Sequence, residues 1–492
     1  MRQLSSPMKE STVRMRTLVV SAMALCSLCV ASAGLAARSE PDDAVPKRDH
    51  SEPLAVTPAV EDSLRKRLDS ALDQLEHQRT ILEAQQQTLR TQQATLDELR
   101  TARLADEAAR THEAAERRKQ DAERPTVLAR VGEGLTAKVG ELFSLTLRGR
   151  IQVQVESLTP TQTAVLAGQP DESELAFQVR RLRFVLTGYA LTPKLTYSIQ
   201  LGLSNRDTES DLRLIPRDAY VSYAPLRELQ IRFGQMKVPF GRQRVVSSSS
   251  LQLVDRSLVT LELNLDRDVG VYLFSPDVGG KGVFQYWVGI FGGEGRNRLG
   301  NTAGGLYFAR IQLTPLGLYD DLVEGDHERS SRPRLALSAA VGYNQHTNRQ
   351  RSTLGSTYTL GDVSYLHASG DLQFKYCGLF VQAEAFYRQA DRDVLTDPKR
   401  VVKDEYSRSA WGYYVQAGYL FARPIELAAR FGELRPLGAT DPTLPLQREL
   451  GGGLSYYFLR HNLKLQSDYF YLFGNDTNAQ KHQARLQAQL FF

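Results

Sequence analysis

The sequence predicts an all-β transmembrane barrel of about 16 antiparallel strands, preceded by an α-helical coiled coil. Three observations carry that expectation. Leucine recurs every seven residues early in the chain, the hydrophobic period switches to two from about Leu142, and the links between the alternating segments are short and long by turns. Composition removes the competing classes. The 492 residues have a mean hydropathy of −0.35. After residue 33 no apolar run approaches the ~18 residues that a spanning helix needs, so a polytopic helical protein is excluded. With 61 Lys+Arg against 56 Asp+Glu, the net charge of +5 gives no support to a nucleic-acid partner.

Residues 1–33 read as a signal peptide. Lys9, Arg14 and Arg16 form a basic start, Leu18 to Val30 an apolar stretch too short to span, and Ala31-Ser32-Ala33 a cleavage site. Export removes Cys26 and Cys29, and Cys377 is then the one thiol of the mature chain. Residues 34–61 are rich in Pro, Asp and Ser and read as a flexible linker.

Residues 62–124 read as a periplasmic coiled coil. Leu68, Leu75, Leu82, Leu89 and Leu96 fill one core position, and Leu64, Ala71, Gln78, Gln85, Gln92 and Leu99 the other. A lone helix would leave this stripe in water, so it calls for a partner helix. The helix should stop near Pro125, and residues 125–141 read as a linker.

Residues 142–492 read as the barrel. Leu145, Leu147, Ile151, Val153 and Val155 alternate with Arg148, Arg150, Gln152, Gln154 and Glu156, and comparable alternation recurs to Leu486, Ala488, Leu490 and Phe492. Strands are expected to begin near 142, 175, 194, 215, 228, 267, 282, 304, 333, 362, 379, 409, 425, 448, 462 and 483. The strand from Leu175 to Tyr189 resists phasing, because both parities carry apolar and basic residues. Short links at Leu191–Pro193, Ala224–Leu226, Tyr376–Gly378, Ala422–Pro424 and Leu459–His461 separate long ones, as in outer-membrane barrels. The segment Pro315–Arg332 is long on the side expected to be short. Aromatic residues crowd strand ends, as in Tyr413-Tyr414, Tyr456-Tyr457-Phe458 and Tyr469-Phe470-Tyr471, where an interfacial girdle would lie. The final amphipathic strand ending in Phe492 is similar to the signal that barrel-assembly machinery reads.

The strongest local text is Phe233-Gly234-Gln235-Met236-Lys237-Val238-Pro239-Phe240-Gly241, then Leu253-Val254-Asp255-Arg256-Ser257-Leu258 and Arg267-Asp268-Val269-Gly270-Val271. Gly289-Ile290-Phe291-Gly292-Gly293-Glu294-Gly295 and Trp411-Gly412-Tyr413-Tyr414-Val415-Gln416-Ala417-Gly418-Tyr419 follow in order. Over 142–492 these blocks resemble the phosphate-selective porin O and P family, with Gly292 where the family usually has Asn. The resemblance implies a homotrimeric outer-membrane channel that prefers inorganic anions and uses an arginine ladder; outer-membrane lipid and, from the terminal strand, the barrel-assembly machinery are the further partners expected.

The residues supply a physical reason for anion preference. Arg148 and Arg150 share one side of the first strand, Arg181 and Arg183 one side of the second, and Arg232 faces inward by parity. A long third loop carries Arg242, Arg244 and Arg256 and is flanked by Lys237 and Arg267. A loop of that length can fold into the lumen, where guanidinium groups favour anions and match two phosphate oxygens at once. The competing reading pairs these arginines with inward Glu156, Asp218, Glu384, Glu426 and Asp468, as in general porins. The sequence carries no nucleophile elbow, zinc motif, Walker loop or Cys/His cluster, so neither an enzyme nor a cofactor is expected. Two alternatives stand beside an anion porin: a nonspecific porin of the same fold, and an envelope tether whose coiled coil reaches the cell wall.

Overall fold

The computed structural model describes residues 58–130, 132–166, 168–207, 216–298, 304–421 and 424–492. The expected signal peptide and nearly all of the expected linker 34–61 lie outside these residues. One helix, α1, runs Pro58–Glu123 over 66 residues. Proline at its first position lacks the N–H that would go unpaired there, and Pro125 ends it as expected. Leu68, Leu75, Leu82, Leu89 and Leu96 are each more than half exposed on this single helix.

The barrel begins with a hairpin that was not expected. β1 (Pro125–Arg130) pairs with β2 (Gly134–Val139), and β2 pairs in turn with Phe143–Leu147 of β3 (Phe143–Pro160). Pro125–Arg130 and Gly134–Val139 are therefore hydrogen-bonded sheet and not a free linker. Six-residue strands are too short to show a convincing period, which is why the sequence hid them.

The wall continues through β4 (Glu174–Ala190), β5 (Thr192–Gly202), β6 (Pro216–Tyr223), β7 (Gln230–Lys237), β8 (Arg267–Ser275), β9 (Phe284–Phe291), β10 (Gly305–Leu313), β11 (Arg334–Thr347), β12 (Val363–Tyr376) and β13 (Leu379–Ala390). A two-residue pair, β14 (Val394–Leu395) with β15 (Glu405–Tyr406), sits in the next long loop. β16 (Ala410–Leu420), β17 (Ile425–Pro436), β18 (Gln447–Leu459), β19 (Leu463–Gly474) and β20 (Lys481–Phe491) complete it. β20 pairs antiparallel with Arg150–Pro160 of β3, so 16 strands close into a barrel. Closure leaves no unpaired edge in the lipid, where an unpaired backbone group is costly. Beyond β20, Gly149 exchanges two backbone hydrogen bonds with Phe492 at 2.6 and 2.9 Å. A Cβ at Gly149 would lie 2.5 Å from the Phe492 ring, so a larger residue there would have to displace that ring.

The side chains are arranged inside out relative to a soluble sandwich. Gln152, Gln382, Gln416, Gln466 and Gln489 face inward and are at most 1% exposed, whereas Val153, Val415, Leu465 and Leu490 face outward and are 41–48% exposed. β16 alone displays the girdle pattern: outward Trp411 and Tyr413 at one end, Val415 and Ala417 in the middle, Tyr419 at the other. A two-residue turn, Cys377-Gly378, joins β12 and β13 with φ values of 49° and 92°. Both central residues are left-handed, the conformation whose twist matches a two-residue hairpin.

β4 contains a bulge that explains why it could not be phased. Gln152 pairs with Arg181 but the adjacent Val153 pairs with Val179, leaving Arg180 unpaired. The extra residue flips the alternation. Before it Phe177 and Val179 face out, and after it Arg181 and Arg183 face in, at 3% and 6% exposure.

Candidate functional site

Two connections from opposite ends of the barrel enter the lumen. The first is the third long loop, residues 238–266, between β7 and β8. Its helices are short: α2 (Arg242–Val245), and α3 (Leu258–Leu263) capped by Ser257, whose Oγ accepts from the Thr260 N–H. One side of the loop is apolar. Val238, Phe240, Val259, Leu263 and Leu265 pack with inward Phe291, Leu306, Phe308, Phe386 and Tyr414 in one buried cluster. Burial of such side chains contributes about 1.5–3 kcal/mol each, which holds a loop inward that would otherwise be drawn to water.

Its polar side is bonded around the wall. Arg242 donates to Asp371 of β12 at 2.6 Å, Asp321 at 2.7 Å, Gln312 of β10 at 3.0 Å and Ser338 of β11 at 2.9 Å. Gln252 donates to Glu426 of β17 at 2.7 Å, and the Val254 N–H to Asp468 of β19 at 3.0 Å. Lys464 of β19 donates to Leu251 O at 2.8 Å, and Gln489 of β20 to Ser249 O at 3.0 Å. Arg388 of β13 pairs with Glu262 at 2.6 Å.

The second is residues 314–333, between β10 and β11 at the short-turn end. Its length, anomalous in the sequence, serves an inward course. Glu324 is fully buried and accepts from the Gln252 N–H at 2.8 Å, Gln416 at 3.0 Å and Gln243 at 3.2 Å. Asp320 and Val323 carbonyls accept from Lys375 of β12 at 2.8 and 2.7 Å. The two segments thus bond to each other and fill the lumen beside β12–β13 and β16–β19. What remains open is a cavity of about 900 Å³ beside β4–β10. Thirteen arginines and Lys237 line it against five aspartates.

The sequence candidates distribute unevenly. Arg181, Arg183, Arg232, Lys237, Arg242, Arg244, Arg256 and Arg267 all line the cavity. Arg148 and Arg150 do not. Arg148 lies at the β1–β2 hairpin and donates to Glu133 O at 3.0 Å, while Arg150 is buried and reaches Ser247 at 3.5 Å. Arg181 pairs with Asp255 at 3.1 Å, Arg267 with Asp218 at 2.9 Å, and Arg244 with Asp266. Lys237 and Arg256 are satisfied by carbonyls: Val245 O at 2.7 Å for the lysine, Gln243 O and Val246 O at 2.8 Å for the arginine. Alternation missed Arg180, which the bulge turns inward onto Asp255 at 2.7 Å, although an Arg-Arg pair in a strand was a usable signal. It also passed over Arg217 of β6 and Arg310 of β10, and Arg206 and Arg351 in the loops.

The expected inward acids are inward, and each has a partner. Asp218 pairs with Arg267, Asp468 with Arg485 at 2.7 Å, Glu384 accepts from the Gln243 N–H, Glu426 from Gln252, and Glu156 from Gln483 at 2.7 Å. In the loops, burial alone would raise the Asp255 carboxyl, but Arg180 and Arg181 outweigh it and hold it well below its ordinary value. Asp266 is held down in the same way by Arg244 and Arg267. For Asp207, burial is again outweighed by hydrogen bonds and charge from Arg183 and by Arg217, which bring it down to about 2. Asp207, Asp255 and Asp266 are therefore held in the ionised form, within a lining that has fourteen basic side chains and five aspartates.

A curated relative, an uncharacterized protein of Aquifex aeolicus, is 25% identical over 295 residues, covering 56% of this chain and 66% of its own length. Among solved structures, an anion-selective porin from Comamonas acidovorans is 11% identical, with 71% of this chain and 100% of that chain covered at a TM-score of 0.46. The outer membrane channel DcaP of Acinetobacter baumannii is 13% identical, with 71% and 98% covered at 0.47. Salmonella typhi OmpF, in complex with daunomycin, is 15% identical, with 75% and 100% covered at 0.47. The profile of the family described as phosphate-selective porin O and P matches residues 145–492, from the third residue of β3 to the end of the barrel, and the chain belongs to that family.

Proposed function

We propose that this outer-membrane porin passes anions by passive diffusion through the arginine-lined cavity, phosphate and related anions among them. The observation that carries the proposal is the lining: fourteen cationic side chains against five aspartates in about 900 Å³. In confined water such a field lowers the barrier for anions and raises it for cations. The forked donors of arginine suit tetrahedral oxyanions. The test is the zero-current potential of the purified channel across a bilayer under a salt gradient, followed by titration of chloride conductance with phosphate. Anion-signed potential with saturable block by phosphate is the expected result, and an unselective potential would return the chain to a general porin.

The same proposal places the short-turn end and α1 in the periplasm, following export on residues 1–33. It makes α1 a coiled coil that joins copies of the chain into a homotrimer, because its exposed leucine seam needs identical partners. A tethering role is supported by the helix length, 66 residues or about 100 Å at 1.5 Å per residue. Deleting residues 62–124 would leave conduction intact and weaken the envelope.

A further inference from the structure

We infer that the short-turn end of the cavity is a binding subsite for organic anions, in which Arg232 holds the anionic group and an apolar wall holds a flat hydrocarbon body. This rests on the anion-channel reading and adds a substrate class to it. Below the arginine-rich zone the lining changes character. Inward side chains from the lower halves of β6–β9 bring Tyr220, Tyr272, Phe274 and Trp287 to the same cavity, and residues 314–333 add Leu318 and Leu322. Arg232 stands among them. Its guanidinium carbon lies 4.4 Å from the Tyr220 ring centre, 5.2 Å from Phe274 and 5.5 Å from Tyr272. Its Nε donates to Ser222 at 2.7 Å.

Two features separate this cation from its neighbours above. Arg180, Arg181, Arg183 and Arg267 of the upper zone meet aspartates, and Arg206 meets the Gln178 amide. Among the described residues no carboxylate pairs with Arg232, and its guanidinium is held by ring faces and Ser222. Aromatic faces orient a guanidinium and strip part of its hydration without cancelling its charge.

The second feature is the apolar surface left open. Tyr272 and Phe274 are buried, and their packing is structural. Leu318 and Leu322 are 45% and 50% exposed, and they face a water-filled cavity instead of lipid. Trp287 is only partly buried beside them. For a bare oxyanion these groups offer nothing. They suit an anion carrying an aryl or short alkyl group, whose hydrocarbon part would leave water against Trp287, Leu318 and Leu322 while its charged end meets Arg232.

The test compares phenyl phosphate with inorganic phosphate as blockers of chloride conductance through the intact purified channel, at alkaline pH where both are dianions. The expected result is a block constant for phenyl phosphate lower by roughly five- to tenfold, the worth of one aromatic contact. Leu322→Ser, at an exposed position that does not threaten folding, and Trp287→Ala should each bring the ratio of the two constants back towards one. Arg232→Gln should weaken phenyl phosphate more than it weakens phosphate. Equal block by the two anions in the unmodified channel, or a ratio unmoved by Leu322→Ser, overturns the subsite. If inorganic phosphate blocks while phenyl phosphate is no better, the subsite fails and the anion channel stands. If neither blocks and the zero-current potential is unselective, the anion channel itself fails.

Discussion

Arg242 and Asp371 meet at 2.6 Å with side chains 1% and 2% exposed, an ion pair sealed between the third loop and the wall. Asp371 also takes Arg310 at 2.7 Å, and Arg242 also takes Asp321 at 2.7 Å. Arg242 is thus a fastening of the loop, although it lines the cavity. Arg242→Ala leaves two acids short of a cation, and breaking a buried pair from one side costs about 3–5 kcal/mol. We expect the loop to loosen, single-channel conductance to rise and become noisy, and the thermal transition of the barrel to fall. Unchanged conductance in Arg242→Ala would show that the remaining bonds hold the loop without it.

Selectivity should follow cations that are not fastenings. Arg206 donates to a neutral Gln178 at 2.9 Å, and Arg244 pairs with Asp266 inside the same loop and not with the wall. Replacing both by Glu moves the lining by four charges, and the zero-current potential should shift towards cations. Arg117→Glu on α1 is the control and should leave it unmoved.

The bulge in β4 makes a sharper prediction. Deleting Arg180 removes the extra residue while every flanking side chain keeps its face, so the barrel should still assemble and migrate as a heat-modifiable band. Deleting Leu182 turns Arg183 outward, or Arg181 if the bulge is absorbed instead. Either way one arginine meets lipid at a cost of about 2–4 kcal/mol near the midplane, and assembly yield should collapse.

Acid should act late. Asp207 has its carboxyl lowered from 3.8 to about 2, so its contribution to stability is fully present above the ordinary value and is lost as pH falls through the folded one. The difference in reversal potential between the unmodified channel and Asp207→Asn should therefore stay constant from neutral pH down to about pH 4. A difference that shrinks already at pH 5–6 would mean that Asp207 is not held by Arg183 and Arg217.

On α1, Leu82→Asp with Leu89→Asp puts charges into the heptad seam. Helical signal that melts at lower temperature, with unchanged channel conductance, is the expected pair of results from circular dichroism and bilayer recording.

Much of the wall was legible. Predicted strand starts such as 142, 267, 379 and 425 fall within one residue of Phe143, Arg267, Leu379 and Ile425, because lipid outside and water inside force a strict period of two. Arg232 was legible for the same reason, whereas Arg181 and Arg183 could only be placed on one shared side of a strand whose phase stayed open, and Arg267 only as a flank of the long loop. The interior was not. Which acid meets Arg242 depends on how β10, β11 and β12 curve past a loop some 70–130 residues away, and periodicity holds no such information. Arg180 escaped because a bulge breaks the rule by which inward residues are counted. The hairpin β1–β2 escaped through brevity.

The bonds of residues 238–266 to the wall also constrain the order in which this molecule can be made. Ser249 meets Gln489 across 240 positions, and Val254 meets Asp468 across 214. A loop joined to β12, β13, β17, β19 and β20 has its full set of bonds only once the last strands are in place. Where it lies against the curling sheet while those strands are still free, they find polar partners waiting on it. Pairings this distant make closure intrinsically slow. The loop is then the mandrel on which the wall is wound, and the step that seals β20 to β3 also sets the shape of the pore.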